Sequence, residues 1–176
     1  MKTRILNILV CGVGGQGVST LSNWLRQLSS LSNYICEGAT FKGGAQRMGA
    51  IYSEIRIVIN PKPNTIISTQ IPKGAVDILI ALEPWEALRY AQKCNSNTLI
   101  VVNSTIEKLY VDRFHKNERI HPITQIQSIF SNVITHNHTP LEQSIQLNQS
   151  ILEHTISCSE LPFTRHQLKS IYHEKN

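Results

Sequence analysis

The run Ile5-Leu6-Asn7-Ile8-Leu9-Val10-Cys11-Gly12-Val13-Gly14-Gly15-Gln16-Gly17-Val18 decides how the rest of the chain is read. A mostly apolar stretch predicts a strand, three glycines in G-x-G-x-x-G spacing predict a tight turn, and a helical pattern begins at Val18. Glycines at 12, 14 and 17 remove the Cβ atoms that would block the turn, keep a ligand off the backbone, or hold the helix away from its strand. Backbone N–H groups at the helix start would then face an anion, with the helix dipole behind them. The competing reading is a tight strand-to-helix turn that binds nothing.

Outward from the turn, Val18, Leu21, Trp24, Leu25, Leu28 and Leu31 recur at three- and four-residue steps, the pattern of one buried helix face. Asn33 to Glu37 predicts a short second strand, and residues 38–49, with four glycines and no periodicity, predict a loop. Ala50 to Ile59 alternates, which predicts a long strand with one wetter face, ended by Asn60-Pro61-Lys62-Pro63-Asn64. Val76 to Leu82 is apolar apart from Asp77 and fits a strand covered on both faces. Glu83-Pro84 starts a helix with Trp85, Leu88 and Ala91 inward, and Thr98 to Val102 is another buried strand. In the second half, Thr124-x-x-Gln127, Thr139-Pro140-Leu141-Glu142 and Thr164-x-x-Gln167 match the reciprocal capping box, with Val133 to Thr135 as a strand. The helix from Pro140 places Leu141, Ile145, Leu152 and Ile156 on one face, with Asn148 among them to tie down a backbone group. Strands alternating with helices predict an α/β fold, a three-layer Rossmann-like sandwich around a mostly parallel sheet, with residues 1–176 as a single domain.

At 176 residues, 41% apolar and 16% charged, the chain reads as globular rather than disordered. No apolar run is long enough to cross a bilayer. The basic start followed by an apolar segment mimics a leader, but Asn7 interrupts that segment and it runs straight into the glycine turn, so a cytoplasmic chain is expected. Cys11, Cys36, Cys94 and Cys158 are scattered without a C-x-x-C pair, which argues against an iron–sulfur cluster or a structural zinc. Net charge is +5, and it is uneven: residues 1–76 hold eight Lys/Arg against two acidic residues, and the remainder nine against ten. The glycine turn lies in the positive half, which suits an anionic ligand or partner. Basic residues do not cluster with aromatic ones, so nucleic acid is not expected.

Glu37 lies twenty residues after Gly17, where a dinucleotide fold binds the adenosine ribose. Gly12, Gly14, Gly15, Gln16, Gly17 and Glu37 are therefore candidate cofactor-binding residues, and taken alone they suggest a nicotinamide or flavin nucleotide. A second candidate group is Gly43, Gly44, Gln46, Arg47 and Gly49, where a guanidinium among glycines can grip a carboxylate or phosphate at two points. His136-x-His138 would need a third ligand that the sequence does not offer, so no metal is assigned. Neither a G-x-S-x-G elbow nor a Cys/His pair is present, and no catalytic residue is assigned. Glu83 and Glu86, at a helix start, are explained by the helix dipole.

Three stretches together resemble the β subunit of indolepyruvate:ferredoxin oxidoreductase, equivalent to the γ domain of the wider 2-oxoacid:ferredoxin oxidoreductases. They are Asn7 to Gly17; Gly44-Ala45-Gln46-Arg47-Met48-Gly49-Ala50 through Glu54 to Ile57; and Asp77 to Tyr90, which includes Glu83-Pro84-Trp85-Glu86. The resemblance implies an α/β domain that binds no cofactor alone and completes a cleft against an α subunit. That partner would carry thiamine diphosphate and 4Fe-4S clusters, pass electrons to ferredoxin, and hand the acyl group from an arylpyruvate to coenzyme A. Residues 12–17 and 43–49 would be the surfaces facing partner, cofactor diphosphate or coenzyme A. A free-standing NAD or FMN binder and a regulatory protein remain alternatives.

Overall fold

The computed structural model describes residues 2–43, 49–106, 120–137 and 144–173. In chain order it forms β1 (Arg4–Val13), α1 (Val18–Leu31), β2 (Ile35–Lys42), β3 (Ala50–Ile59), β4 (Val76–Ala81) and α2 (Pro84–Tyr90). A single 3-10 turn, Ala91–Lys93, leads into β5 (Cys94–Asn103), followed by α3 (Pro122–Ile129), β6 (Val133–His136), α4 (Ser144–Cys158) and α5 (Arg165–His173). The strands form one six-stranded sheet in the order β2-β3-β1-β4-β5-β6. The pairs β1–β4, β4–β5 and β5–β6 are parallel, while β3 runs antiparallel to both β1 and β2. The sheet is thus mostly parallel, with one reversed strand.

Alternation along the strands sorts the core into two layers. Leu6, Ile8 and Val10 of β1, with Ile55, Ile57, Ile78, Ile80 and Val101, pack under α1, α4 and α5. Leu9 and Cys11 of β1, with Leu79, Ala81, Ile100 and Val102, face Ala87 of α2 and Ile123, Ile126 and Phe130 around α3. Helices on both faces give the three-layer sandwich, and each fully buried Leu or Ile adds about 1.5–3 kcal/mol of transfer free energy.

Several elements differ from the sequence reading. Strand β2 continues to Lys42, so only residues 43–49 remain of the predicted 38–49 loop. The face of β3 read as wetter is largely covered: Glu54 is 2% exposed and Val58 is buried. Leu31, assigned to the inner face of α1, is 54% exposed. Helix α3 starts at Pro122 with His121 as its cap, ahead of the Thr124 box. In α4 the inward residues are Leu147, Asn148, Ile151, Leu152 and Thr155, whereas Ile145 is exposed. The Thr164–Gln167 box forms as expected: Thr164 N–H donates to Gln167 Oε1 (2.8 Å) and Gln167 N–H to Thr164 Oγ1 (3.3 Å). The Thr139–Glu142 box lies outside the described residues.

Candidate functional site

Chain direction on either side of β1 defines one topological switch point. From β1 the chain passes through α1 toward the β2 edge, and from β4 it passes through α2 toward the β6 edge, with the two helices on opposite faces. In open α/β sheets ligands bind at such a reversal, beyond the carboxyl ends of the strands. The turn after β1 and the Leu82-Glu83 turn after β4 flank this point, and Leu82 N–H donates to Cys11 O across it (2.8 Å).

Most of the glycine turn is fixed from within the protein. Gln16 closes it by donating its N–H to Val13 O (3.1 Å) while its Oε1 accepts from Val13 N–H (3.0 Å). A Cβ at Gly12 would lie 2.9–3.1 Å from Gln16 Oε1, Leu82 Cβ and Val18 Cγ2, so this glycine lets strand, turn and helix pack together. Gly14 N–H donates to Gly49 O (3.0 Å), which ties the turn to the end of the 43–49 segment; at the segment's other end Gly43 N–H reaches Ala50 O (2.7 Å). Gly17 is the N-cap of α1 at φ 87°, and no side chain caps the helix. The space that a side chain at Gly17 would need is filled by Asn148 of α4: a Cβ on Gly17 would lie 2.0 Å from Asn148 Nδ2, which donates to Gly17 O (3.3 Å). Asn148 is fully buried, and its Oδ1 meets no partner among the described residues. Among the described residues of the turn Gly15, at φ 99° with nothing within 4 Å of a Cβ built there, is the exposed one, and α1 begins without a side-chain cap.

Glu37 does not join this group. It sits early in β2, opposite Arg56 of β3, which in turn lies opposite Asn7 of β1. Six residues along β1 separate that row from Val13, roughly 20 Å at ~3.3 Å per residue, and a whole strand intervenes sideways. The twenty-residue spacing holds in sequence, but β3 is inserted where a dinucleotide fold would place β2, so Glu37 cannot reach a ribose at the turn. Gly44, Gln46 and Arg47 lie outside the described residues, as does His138. Gly49 lies against the glycine turn through Gly14, and Gly43 pairs with Ala50.

The structure adds residues after β4. Glu83 is fully buried and caps α2 through Oε2, which accepts from Trp85 N–H (2.6 Å) and Glu86 N–H (3.1 Å). Glu86, also buried, pairs with Arg89 (3.0 Å). Trp85 packs on Val13 at the root of the glycine turn, and Asn103 Nδ2 reaches Leu82 O (3.3 Å). The available signal was the Glu-Pro-Trp-Glu run at the end of a buried strand; Glu83 is the helix-start carboxylate expected from the sequence, and it is buried.

All four cysteines are free thiols. Burial pushes Cys11 well above the ordinary thiol range, with the Glu86 and Glu83 carboxylates adding to it. Burial likewise raises Cys36 and Cys158, and Cys94 to about 11. Among the described residues no group of three or more His, Cys, Asp or Glu could hold a metal ion, and no helix is long and apolar enough to cross a membrane.

A mostly parallel sheet with one reversed strand, helices on both faces and a glutamine-closed glycine turn at the switch point defines a Rossmann-like α/β domain. Residues 7–155 match the family model described as pyruvate ferredoxin/flavodoxin oxidoreductase. The chain belongs to that family. It is 40% identical over 99 residues to indolepyruvate oxidoreductase subunit IorB of Archaeoglobus fulgidus, covering 56% of this chain and 46% of the relative. With IorB of Methanothermobacter thermautotrophicus it shares 30% identity over 125 residues, 71% of this chain and 59% of the relative. The chain therefore spans about half the length of the curated relatives it matches. Among solved structures, pyruvate oxidoreductase subunit PORC of Thermotoga maritima superposes with a TM-score of 0.66 at 11% identity, over 97% of this chain and 85% of that one. The γ subunit of a keto/oxoacid ferredoxin oxidoreductase from Geobacter sulfurreducens gives 0.62 at 16% identity, over 98% and 86%. Both likenesses concern the fold.

Proposed function

We propose that this chain is the cluster-free subunit of a thiamine-diphosphate-dependent 2-oxoacid:ferredoxin oxidoreductase, with arylpyruvates such as indolepyruvate as its substrates and an acyl-CoA as product. Residues 1–176 act as one domain, in the cytoplasm, against an α subunit that carries thiamine diphosphate and the 4Fe-4S clusters and passes electrons to ferredoxin. Family membership and the IorB relatives support the class. The observation that supports the assignment to a cleft is the Gly14-to-Gly49 hydrogen bond, which joins the first of the resembling stretches to Gly49 of the second.

Thiamine diphosphate, when bound by the partner, supplies the carbanion chemistry that decarboxylates the 2-oxo acid. This chain's part is to close and charge the cleft. The outward first turn of α1 offers unclaimed N–H groups and the positive end of a helix dipole to a diphosphate or to coenzyme A. Gln46 and Arg47, between Gly43-Gly44 and Gly49, supply a polar and cationic rim for the same anions. The absence of a C-x-x-C pair suits a division of labour in which the clusters lie elsewhere. A free-standing NAD or FMN binder loses its ribose contact in this strand order.

The test is mass spectrometry of what co-purifies with the tagged chain from its native host, isolated without oxygen at native expression level. A large partner with a cysteine-rich cluster motif and bound thiamine diphosphate is expected. Recovery of the chain alone under those conditions overturns the proposal and leaves a nucleotide-binding or regulatory protein.

A further inference from the structure

We infer that Ser150 is a nucleophile activated by His136 and His154, competent to accept an acyl group from a thioester. Ser150 and His154 stand one turn apart on α4, the i, i+4 spacing that puts two side chains on one face. That face meets His136, the last residue of β6. His136 Nε2 lies 2.7 Å from Ser150 Oγ, and its Nδ1 lies 3.0 Å from His154 Nδ1. The ring centroids are 5.2 Å apart. Ring nitrogens so much closer than the ring centres meet nearly head-on, as in an N–H···N hydrogen bond. Two lone pairs converging on a shared metal ion would point off that line.

The order of donors follows from the neighbours. One proton occupies the contact between the two Nδ1 atoms. The other acceptor available to the Ser150 hydroxyl, Leu147 O, is 3.5 Å away, so the hydroxyl proton is best placed on His136 Nε2. That leaves Nε2 bare and puts the shared proton on His136 Nδ1, donated to His154. Nucleophile, base and orienting group then stand in the sequence that activates a serine. His136 is held in place by its own backbone: its carbonyl accepts from Ser104 N–H (2.8 Å), and it pairs in register with Asn103 of β5. All three side chains are half-buried, accessible yet partly shielded from water. The group sits at the carboxyl edge of the sheet, the same edge as the glycine turn.

The chemistry balances without a further reactant except water. Ser150 Oγ bonds to the thioester carbonyl carbon as its proton passes to His136 Nε2; the C–S bond breaks and the thiol leaves with that proton. Water then attacks the Ser150 ester, His136 again takes the proton, and a carboxylic acid is released with the hydroxyl restored.

The experiment incubates the full chain with S-acetyl-N-acetylcysteamine, follows thiol release, and locates acetyl groups by peptide mass spectrometry. Acetylation of Ser150 is expected, slowed about 100-fold or more in His136→Ala and in His136→Asn, the usual scale for loss of a general base. His154→Gln retains an acceptor for the His136 Nδ1 proton and should keep most of the rate, whereas His154→Ala should lose at least about tenfold. Circular dichroism confirms that each variant is folded, and the Gln/Ala contrast at 154 stands even if the His136 variants are not. Absence of acetyl on Ser150, equal labelling in the His136 variants, or equal rates for His154→Gln and His154→Ala would each overturn the inference.

Discussion

Replacing Gly17 by alanine asks whether the third glycine of the turn is required by the protein or by a ligand. Its φ of 87° costs an L side chain about 1–2 kcal/mol of left-handed strain. The new Cβ would also lie 2.0 Å from Asn148 Nδ2, so the amide must retreat by more than an ångström. That forfeits its bond to Gly17 O, about 1 kcal/mol, and overpacks a fully buried site, about 1–3 kcal/mol more. A loss near 4 kcal/mol corresponds, at roughly 2–4 °C per kcal/mol for a chain of this size, to a fall in Tm of roughly 8–16 °C. Gly15→Ala is the internal control: φ is 99° with nothing within 4 Å, so only the strain of about 1–2 kcal/mol applies. Thermal and urea unfolding of Gly17→Ala, Asn148→Ala and the double variant form a cycle, with a coupling of about 2–3 kcal/mol expected, the upper range for residues in contact. If Gly17→Ala costs no more than Gly15→Ala, or if Asn148→Ala does not soften it, Asn148 is not what the glycine accommodates.

Two other perturbations probe different parts of the fold. Glu54 accepts from Ile71 N–H (2.8 Å) and pairs with Lys93, which lies over the Tyr52 ring at 5.1 Å. Glu54→Ala would strand a cation and a buried N–H for a loss of about 3–5 kcal/mol, whereas Glu54→Gln keeps an acceptor for Ile71 and should cost clearly less; equal urea midpoints for the two would refute the pairing argument. Burial raises the Cys94 thiol from 9.0 to about 11, so the unfolded chain gives up this proton first as the solution turns alkaline. The stabilisation is complete below pH 9 and drains away between about pH 9 and 11. Denaturation at pH 8 and pH 10.5 should show Cys94→Ala losing less stability across that window than the parent; parallel losses would remove Cys94 as a contributor.

The strands whose hydrophobic pattern carried the signal, β1, β3 and β4, were legible because their buried faces repeat every second residue or run continuously. The outer half of β2 was not. Gly38-Ala39 has weak strand propensity, and it is the ladder with β3 that keeps it extended. The glycine is required by that ladder, since a Cβ at Gly38 would lie 2.1 Å from Glu54 O. Helix α3 shows a similar override, because Pro122 preset the first turn and His121 Nδ1 accepted from Ile123 N–H (3.3 Å) before the Thr124 box could act. Strand order was the larger gap. Spacing along the chain places Glu37 at a ribose in a β1–β2 neighbourhood, and nothing local announces that β3 will intervene. At the site, Asn148 was legible as a tether, but its target lies 131 residues away and was not.

The glycine turn itself illustrates how far one motif can be committed to packing. A bare G-x-G-x-x-G does not specify its fifth residue, and here that residue is Gln16, whose Oε1 and N–H both engage Val13. Gly12 accommodates Gln16, Leu82 and Val18; Gly14 N–H is committed to Gly49; Gly17 accommodates Asn148. Gly12, Gly14 and Gly17 are therefore fitted to other parts of the chain, including a helix far along it, and Gln16 is held by Val13 within the turn. The turn is braced by the protein's own contacts, and its exposed residue is Gly15. Preorganisation of that kind lowers the entropy lost when an anion or a partner docks, because the N–H groups need no further ordering. A substitution at Gly15 should then disturb docking with little loss of fold, and one at Gly17 should act on the fold first.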